Sequence, residues 1–527
     1  MKTSYRWAVV AVVVGMVNGR AQEGALLSEV NAALVDAAAQ TSGLLARLEG
    51  RTGLPRTWQN NQLTLVGATD WTCGFFPGEL WLLYEATGEL RWREAAVGTM
   101  SQVEVAKNNR GTHDVGFILS CSFGQAYRLT GSAAYRDVLT TGATSLSTRF
   151  NPTVGAIRSW DWGTWKYPVI IDNLMNLELL VRSSRLGGPA NHALQAVSHA
   201  ERTRVNHFRA DASSWHVVDY EPSTGEVRSK GTHQGYAAGS SWARGQAWGL
   251  YGYTLMARET GRPEFLDLAN RIARFVATHP RLPADKVPYW DFDAPDIPTA
   301  PRDSSAAAVM ASALIELADL TGGEEGKQHL VLAEQQLRSL MSPAYRAARG
   351  QAGDFLLLHA TGNRPAGTEV DVPLVYGDYY YLEALLRYRA RFADPGRMIN
   401  LSSRAWVGPG DQLLVSGLIV GGGSSRTVLL RALGPALAGF GVAGTLADPR
   451  LRLFRGPDLV AENDDWLGDP SVSAAAQQAG AFAISDPASR DAALLLTLPP
   501  GAYTAQVSGA AGATGTVLLE AYEVPSR

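Results

Sequence analysis

Two carboxylates stand in the setting that proton transfer needs. Asp172 lies in Lys166-Tyr-Pro168-Val-Ile-Ile-Asp172-Asn-Leu-Met-Asn176, near a helix start but inside an almost wholly apolar string. Burial there disfavours the charged form and keeps a proton available, as a general acid requires; the positive end of a helix pulls the other way. Asn173 and Asn176 are spaced to orient it. The second carboxylate is Asp114, in Gly111-Thr-His113-Asp114-Val-Gly-Phe117. Taken singly, each also reads as a plain helix cap. Paired in one aromatic pocket, they match the usual apparatus of glycoside hydrolysis.

A third stretch supplies a surface for a sugar. It runs His233-Gln-Gly-Tyr-Ala-Ala-Gly-Ser-Ser-Trp242-Ala-Arg244-Gly-Gln-Ala-Trp248. Ser240 or Ser241 reads as an N-cap, and Arg244, Trp248 and Tyr251 then share one helix face. That face offers a fixed cation beside flat aromatic surfaces, with His233 and Gln234 on the loop leading in. The bland alternative is that Trp242 and Trp248 are core and Arg244 is a buried structural ion. Gly245, Gly249 and Gly252 each cost this helix about 1 kcal/mol against Ala, so close packing is expected around them. His216, in the strand-like run Ser214-Trp-His-Val-Val-Asp219, counts as a candidate through its expected pocket position.

These residues need elements to hold them. From Leu27 to about Ala390 the apolar periodicity is helical and paired. Tyr84-Glu-Ala-Thr-Gly88, Tyr127-Arg-Leu-Thr-Gly131 and Ala257-Arg-Glu-Thr-Gly261 each end a helix on a C′ glycine. Helices starting near Thr72, Asp114, Pro168, Ser241, Asp303 and Asp378 alternate with partners near 28–49, 90–107, 132–150, 189–208, 262–279 and 324–341. The closed solution is an (α/α)6 toroid, one ring of helices inside another. Its inner helices run parallel, so Asp114, Asp172, Arg244, Asp303 and Asp378 should gather at one end, where six helix N-termini favour an anion. Asp303 and Asp378 are expected to be simple caps. The longer connections 151–167, 209–240 and 280–302 fall on that side and carry Trp160, Trp162, Trp165, Trp215, Tyr289 and Trp290.

Past Asp394-Pro-Gly396 short β-branched runs alternate with turns, the pattern of a β-sandwich. The expected organisation is a 1–21 leader, a 22–393 helical catalytic domain and a 397–527 sandwich-like accessory domain. Lys2 and Arg6 precede an apolar run from Trp7 to Val17 and then Gly19-Arg-Ala21, the order of a secretory signal. That run is too short to cross a bilayer, and no later membrane span is expected. The net charge of -3 without a basic tract argues against a nucleic-acid partner. The two cysteines, Cys73 and Cys121, read as reduced core residues and give no zinc constellation. Asn463-Asp-Asp465 reads as a polar turn rather than a calcium site.

The blocks Asp70-Trp-Thr-Cys-Gly-Phe-Phe-Pro-Gly-Glu-Leu-Trp81, His113-Asp-Val-Gly-Phe117, Val169-Ile-Ile-Asp-Asn-Leu-Met-Asn176, Thr232-His-Gln-Gly-Tyr236, Ser241-Trp-Ala-Arg-Gly-Gln-Ala-Trp248, Arg302-Asp-Ser-Ser-Ala306 and Tyr376-Gly-Asp-Tyr379 resemble the unsaturated glucuronyl hydrolases of glycoside hydrolase family 88. They span about 30–390 in the family's order. The resemblance implies a substrate with a Δ4,5-unsaturated uronic acid at its non-reducing end, left by a polysaccharide lyase, and hydration of the C4=C5 bond without metal or organic cofactor. It implies Asp172 as general acid and base, and Asp114 as the second carboxylate. His216, Gln234, Arg244 and Trp248 match positions around the uronate, with Arg244 and Gln234 on its carboxylate side; Trp71 and Trp160 match pocket walls. Alternatives are an unsaturated rhamnogalacturonyl hydrolase on the same fold, a toroidal polysaccharide lyase, and a non-catalytic carbohydrate-binding or surface protein. Lys286, Arg349 and Arg364 are the basic residues from which sulfate tolerance would come. The oligomeric state stays open.

Overall fold

Apolar residues at three- and four-residue spacing make the N-terminal part helical, and β-branched alternation makes the C-terminal part a pair of sheets. The structure, a computed structural model, describes the backbone of residues 5–392, 400–421 and 425–524, and side chains from Leu26 onward apart from Asn400. The first residues of the expected leader, its side chains and the Asp394-Pro-Gly396 link lie outside the described residues.

In chain order the first elements are α1 (Tyr5–Leu48), the hairpin β1 (Leu54–Gln59) and β2 (Gln62–Val66), α2 (Phe75–Thr87) and α3 (Leu90–Met100). Next come α4 (Val115–Leu119) and α5 (Gln125–Thr130), joined by a π-helical turn at Ser120–Gly124, then α6 (Ala133–Ser147). Short strands β3 (Phe150–Asn151), β4 (Ala156–Ile157) and β5 (Pro168–Ile170) precede α7 (Leu177–Arg185) and α8 (Asn191–Asn206). Strands β6 (Val217–Tyr220) and β7 (Val227–Gly231) lead into α9 (Ala243–Thr260) and α10 (Pro263–Thr278). The helical part closes with α11 (Ser304–Thr321), α12 (Gly323–Met341), the hairpin β8 (Ala360–Asn363) and β9 (Thr368–Val372), and α13 (Val375–Phe392).

Contacts among the more buried helices run in a cycle. α2 packs on α13, α13 on α11, α11 on α9, α9 on the Ile171–Asn176 turn and α7, these on α4, and the π turn after α4 back on α2. The remaining helices lie outside: α3 on α2, α6 on α4, α8 on α7, α10 on α9, α12 on α11 and α1 on α13. The C′ glycines do what a left-handed turn requires, with φ of 69° at Gly88, 64° at Gly131 and 66° at Gly261. Helix α11 is long and apolar enough to cross a membrane, yet it lies in the interior; the burial of its Ala-rich surface explains that composition.

Several local expectations change. The N-cap of α9 is Trp242, without a side-chain cap; the Ser241 backbone N–H instead donates to Asp293, and the Ser240 hydroxyl to Asp291. Asp303 is a true cap, accepting from the Ala306 N–H. Asp378 is not: its two oxygens accept the N–H groups of Leu356 and Leu357, tying α13 to a neighbouring loop. Cys73 and Cys121 are free and buried.

Residues 400–524 form β10 (Asn400–Val407), β11 (Leu414–Val420), β12 (Arg426–Leu433), α14 (Pro435–Ala438), β13 (Pro449–Arg455), β14 (Asp458–Asn463), α15 (Pro470–Gln478), β15 (Ala492–Leu498), β16 (Gly501–Gly509) and β17 (Gly515–Glu523). Two four-stranded antiparallel sheets result, ordered β10-β17-β12-β15 and β11-β16-β13-β14, with one apolar cluster drawn from both. Arg455 donates to the Gly88 carbonyl at the end of α2, and the Tyr127 hydroxyl of α5 donates to Asp469 at 3.3 Å. The sheets therefore touch helix C-termini, away from the helix starts that carry the carboxylates. Asn463 bonds the backbone of its own turn and of Ala493.

Candidate active site

The apolar run before Asp172 becomes a strand and a tight turn. Val169 and Ile170 pair with Val218 and Val217, and residues Ile171–Asn176 then make a 3-10 turn into α7. Asn173 and Asn176 pin that turn: Asn173 donates to the Ile157 carbonyl and accepts from Ser159, and Asn176 accepts the Phe117 N–H at 2.7 Å. Gly252 of α9 lets Leu174 approach so closely that a Cβ there would lie 2.4 Å from the Leu174 Cβ. The helix glycines thus set how near α9 comes to the turn carrying Asp172.

Burial pushes the Asp172 carboxyl up to about 7. The Arg244 charge, a backbone N–H and the Trp248 indole oppose the rise, and Asp114 adds to it. The opposing pulls of burial and helix start are thereby decided in favour of burial. Behind Asp172 sits His216, whose Nδ1 accepts the N–H groups of His233 at 3.1 Å and Gln234 at 3.2 Å. An acceptor Nδ1 puts the ring proton on Nε2, and Nε2 lies 3.6 Å from Asp172 Oδ2. Burial holds this imidazole well below its ordinary value, so it is neutral. Asp172 Oδ2, His216 Nε2 and Trp248 Nε1 are all buried without a regular hydrogen bond. The three atoms lie together, two N–H donors around one carboxylate oxygen.

Asp114 makes no side-chain bond to its own helix start. Its Oδ2 accepts from the Thr112 hydroxyl at 2.7 Å, and its Oδ1 lies 3.1 Å from His113 Nε2. His113 Nδ1 donates to the Ser159 carbonyl at 2.8 Å, and burial holds this imidazole below its ordinary value. Both carboxylates are thus oriented toward the cavity by neighbours rather than spent on capping.

The cavity they share has a volume of about 320 Å³. Six of the eight residues singled out from the sequence line it: Asp172, Asp114, Gln234, Arg244, Trp71 and Trp160. His216 and Trp248 stand behind the wall, 3% and 0% exposed. Trp248 packs against Phe117 and Tyr380, and only its indole N–H reaches toward Asp172. Arg244 is heavily engaged: it pairs with Asp303 at 3.0 Å, donates to the carbonyls of Thr361 and Gly362, and lies over the rings of Trp242 and Tyr376. It therefore clamps the β8–β9 hairpin while lending its charge to the cavity.

Sequence reasoning missed Arg56 and Glu369. Arg56 on β1 bonds Glu369 on β9 through two nitrogens, at 2.5 and 2.9 Å, and Asp70 through the third at 2.6 Å. Their strands carry no motif, and the pairing joins residues far apart in the chain. Of the basic residues considered for sulfate, none lines the cavity; Arg349 instead pairs with Asp36. Among the described residues no group of three His, Cys, Asp or Glu side chains is arranged to hold a metal ion.

No protein-family model matches the chain. It is 46% identical over 325 residues to an unsaturated glucuronyl hydrolase of Formosa agariphila, covering 61% of this chain and 80% of that one. Among solved structures it is similar to an unsaturated glucuronyl hydrolase specific for heparin, with 43% identity and a TM-score of 0.67 over 69% of this chain and 98% of the other. The unsaturated glucuronyl hydrolase of Bacillus sp. GL1, described as responsible for degradation of glycosaminoglycan, aligns at 34% identity and a TM-score of 0.64 over 67% and 95%.

Proposed function

This chain belongs to the unsaturated glucuronyl hydrolases of glycoside hydrolase family 88, and on that premise we propose that Asp172 carries the hydration of a Δ4,5-unsaturated uronic acid at the non-reducing end of lyase-generated oligosaccharides. The observation behind the assignment is a buried carboxyl, held protonated up to about pH 7, at the base of an aromatic cavity. In the first step the Asp172 proton goes to C4 of the enol ether, and positive charge develops at C5 and the ring oxygen. Water then adds to C5 and returns a proton to Asp172. The hemiketal opens by breaking the C5–ring-oxygen bond to give a C5 ketone and a hemiacetal at C1. Collapse of that hemiacetal to an aldehyde breaks the C1 bond to the next sugar, which leaves with the proton as the saccharide shortened by one sugar. One carboxyl serves both steps, so its pKa must sit near the working pH.

The neighbours take defined parts in this reading. The neutral His216 and the Trp248 indole each aim an N–H at Asp172 and steady the carboxylate left by the first transfer. Asp114, fixed by the Thr112 hydroxyl, accepts ring hydroxyls. Gln234 and the Arg244 charge face the uronate carboxylate, and Trp71 and Trp160 wall its ring. The cycle of helix contacts supports an (α/α)6 toroid for the helical part, with helix starts at the site end. The charged-then-apolar N-terminus supports export; fractionation of the expressing cell and the mature N-terminal residue would test it.

Loss of ultraviolet absorbance is the direct assay, because the conjugated enoate absorbs and the hydrated product does not. Falling absorbance with wild type that is abolished in Asp172→Asn is expected. Rising absorbance on intact polymer would make the protein a lyase and end this reading.

A further inference from the structure

The uronate cavity continues outward onto one exposed aromatic. Trp162 lines the cavity, yet is 55% exposed. Its ring stacks on Trp160, with centroids 4.8 Å apart and planes at 13°, and meets His233 edge-on at 5.3 Å. Trp160 is 7% exposed, so the pair forms a step from the buried wall to the mouth. A tryptophan left half in water at the end of such a stack, one face covered by its neighbour and held by an imidazole edge, is a flat surface awaiting a partner.

The charges around it limit that partner. Among the described residues two cations line the cavity, Arg56 and Arg244, and both are committed: Arg56 to Glu369 and Asp70, Arg244 to Asp303 and two carbonyls. Asp161, beside Trp162, is paired with Arg149 and Arg158. Glu369, which lines the cavity with Asn363 and Thr368 of the β8–β9 hairpin, is itself paired with Arg56. An anionic substituent on the leaving sugar would find no uncommitted cation among the described lining residues.

We propose that Trp162, braced by Trp160 and His233, is the outer platform of a leaving-sugar subsite that takes an uncharged pyranose through its C–H face. The inference rests on the hydratase reading of the same cavity and adds the class of the second sugar. Sulfate on that sugar lowers turnover, because neither lining cation is free to receive it.

Three Δ4,5-unsaturated glucuronides distinguish the outcomes: a methyl glycoside, a disaccharide with a neutral hexose, and one with a 6-sulfated hexosamine, each followed by loss of ultraviolet absorbance. Wild type should prefer the neutral disaccharide over both others. In Trp162→Ala the ratio of kcat/KM for the neutral disaccharide to that for the methyl glycoside should fall about tenfold, mostly through KM, the size expected for one lost aromatic contact. Trp162→Phe, which keeps a ring, should recover most of it. An unchanged ratio in Trp162→Ala, or equal or better turnover of the sulfated substrate by wild type, overturns the platform. Failure of wild type on all three, the methyl glycoside included, removes the hydratase reading and the platform with it. Turnover of the methyl glycoside without preference for the neutral disaccharide removes the platform alone.

Discussion

Replacing Asp172 by Asn should cost activity and increase stability, and the second effect carries a sign that only the buried-acid argument requires. Asn keeps the size of the side chain and cannot ionise. The native carboxyl titrates at about 7 against an ordinary value of 3.8. Between those values the unfolded chain has released a proton that the native chain still holds, so stability falls as pH rises through the window and levels off above it. At about 1.4 kcal/mol per pKa unit, the wild-type fold forgoes at most roughly 4 kcal/mol by pH 8 relative to pH 4. The Asn variant lacks that slope. Titrating groups that do not interact with Asp172 are common to both proteins and cancel in the difference.

Urea unfolding of both proteins at several pH values from about 5 to about 8 reads this difference directly. The variant should gain on wild type by about 2–3 kcal/mol between about pH 5 and 7 and then hold that margin, on top of a pH-independent offset for whatever the Asn amide loses against the His216 and Trp248 donors. Hydration should meanwhile drop by about 10²–10⁴, the usual worth of a positioned general acid. Parallel pH curves for the two proteins would show that Asp172 is ionised in the native state throughout. In that case it could not deliver a proton at neutral pH, and the mechanism would be refuted even if the variant were inactive.

The other predictions concern how Asp172 is held. Gly252→Ala places a Cβ 2.4 Å from that of Leu174, so despite a helix-propensity gain of about 1 kcal/mol it should destabilise by about 1–3 kcal/mol and lower kcat, measured by thermal unfolding and the absorbance assay. Arg244→Lys replaces a fork that holds Asp303 and two hairpin carbonyls by a single ammonium; a loss of about 3 kcal/mol and a raised KM are expected, and unchanged stability would show the clamp to be idle. Nitrogen-15 spectra of histidine-labelled protein should show His216 neutral with its proton on Nε2 between about pH 5 and 8; a protonated ring would contradict the tautomer read from its backbone donors.

The helical pairs were legible because each chain segment states its own ends: a glycine that turns left-handed at Gly88, Gly131 and Gly261, and a capping carboxylate at Asp303. The two carboxylates were legible for a related reason, since charge inside an apolar string asks for an explanation. What stayed hidden is whatever depends on a distant partner. Ser241 has the composition of a cap, but its N–H goes to Asp293 and the cap position to Trp242. Asp378 has the position of a cap, but the Leu356–Leu357 backbone outcompetes its own helix for both oxygens. Arg56 and Glu369 meet only because two hairpins fold against each other, and neither strand advertises the pairing.

Trp248 shows how the two kinds of information combine. Its spacing from Arg244 put it on the face toward the site, which is correct, but the depth of that face depends on three glycines packing against Ile171, Phe208 and Leu174. Because α9 comes that close, Trp248 lies beneath the cavity floor and not in its wall, and Asp172 is sealed from below by a ring whose only polar atom is aimed at it. A looser helix would let water reach the carboxyl, lower its pKa toward the ordinary range and leave no proton to give at neutral pH. The glycines that look like a cost in helix propensity are therefore part of the acid, and their effect should appear in the pH dependence of turnover as well as in stability.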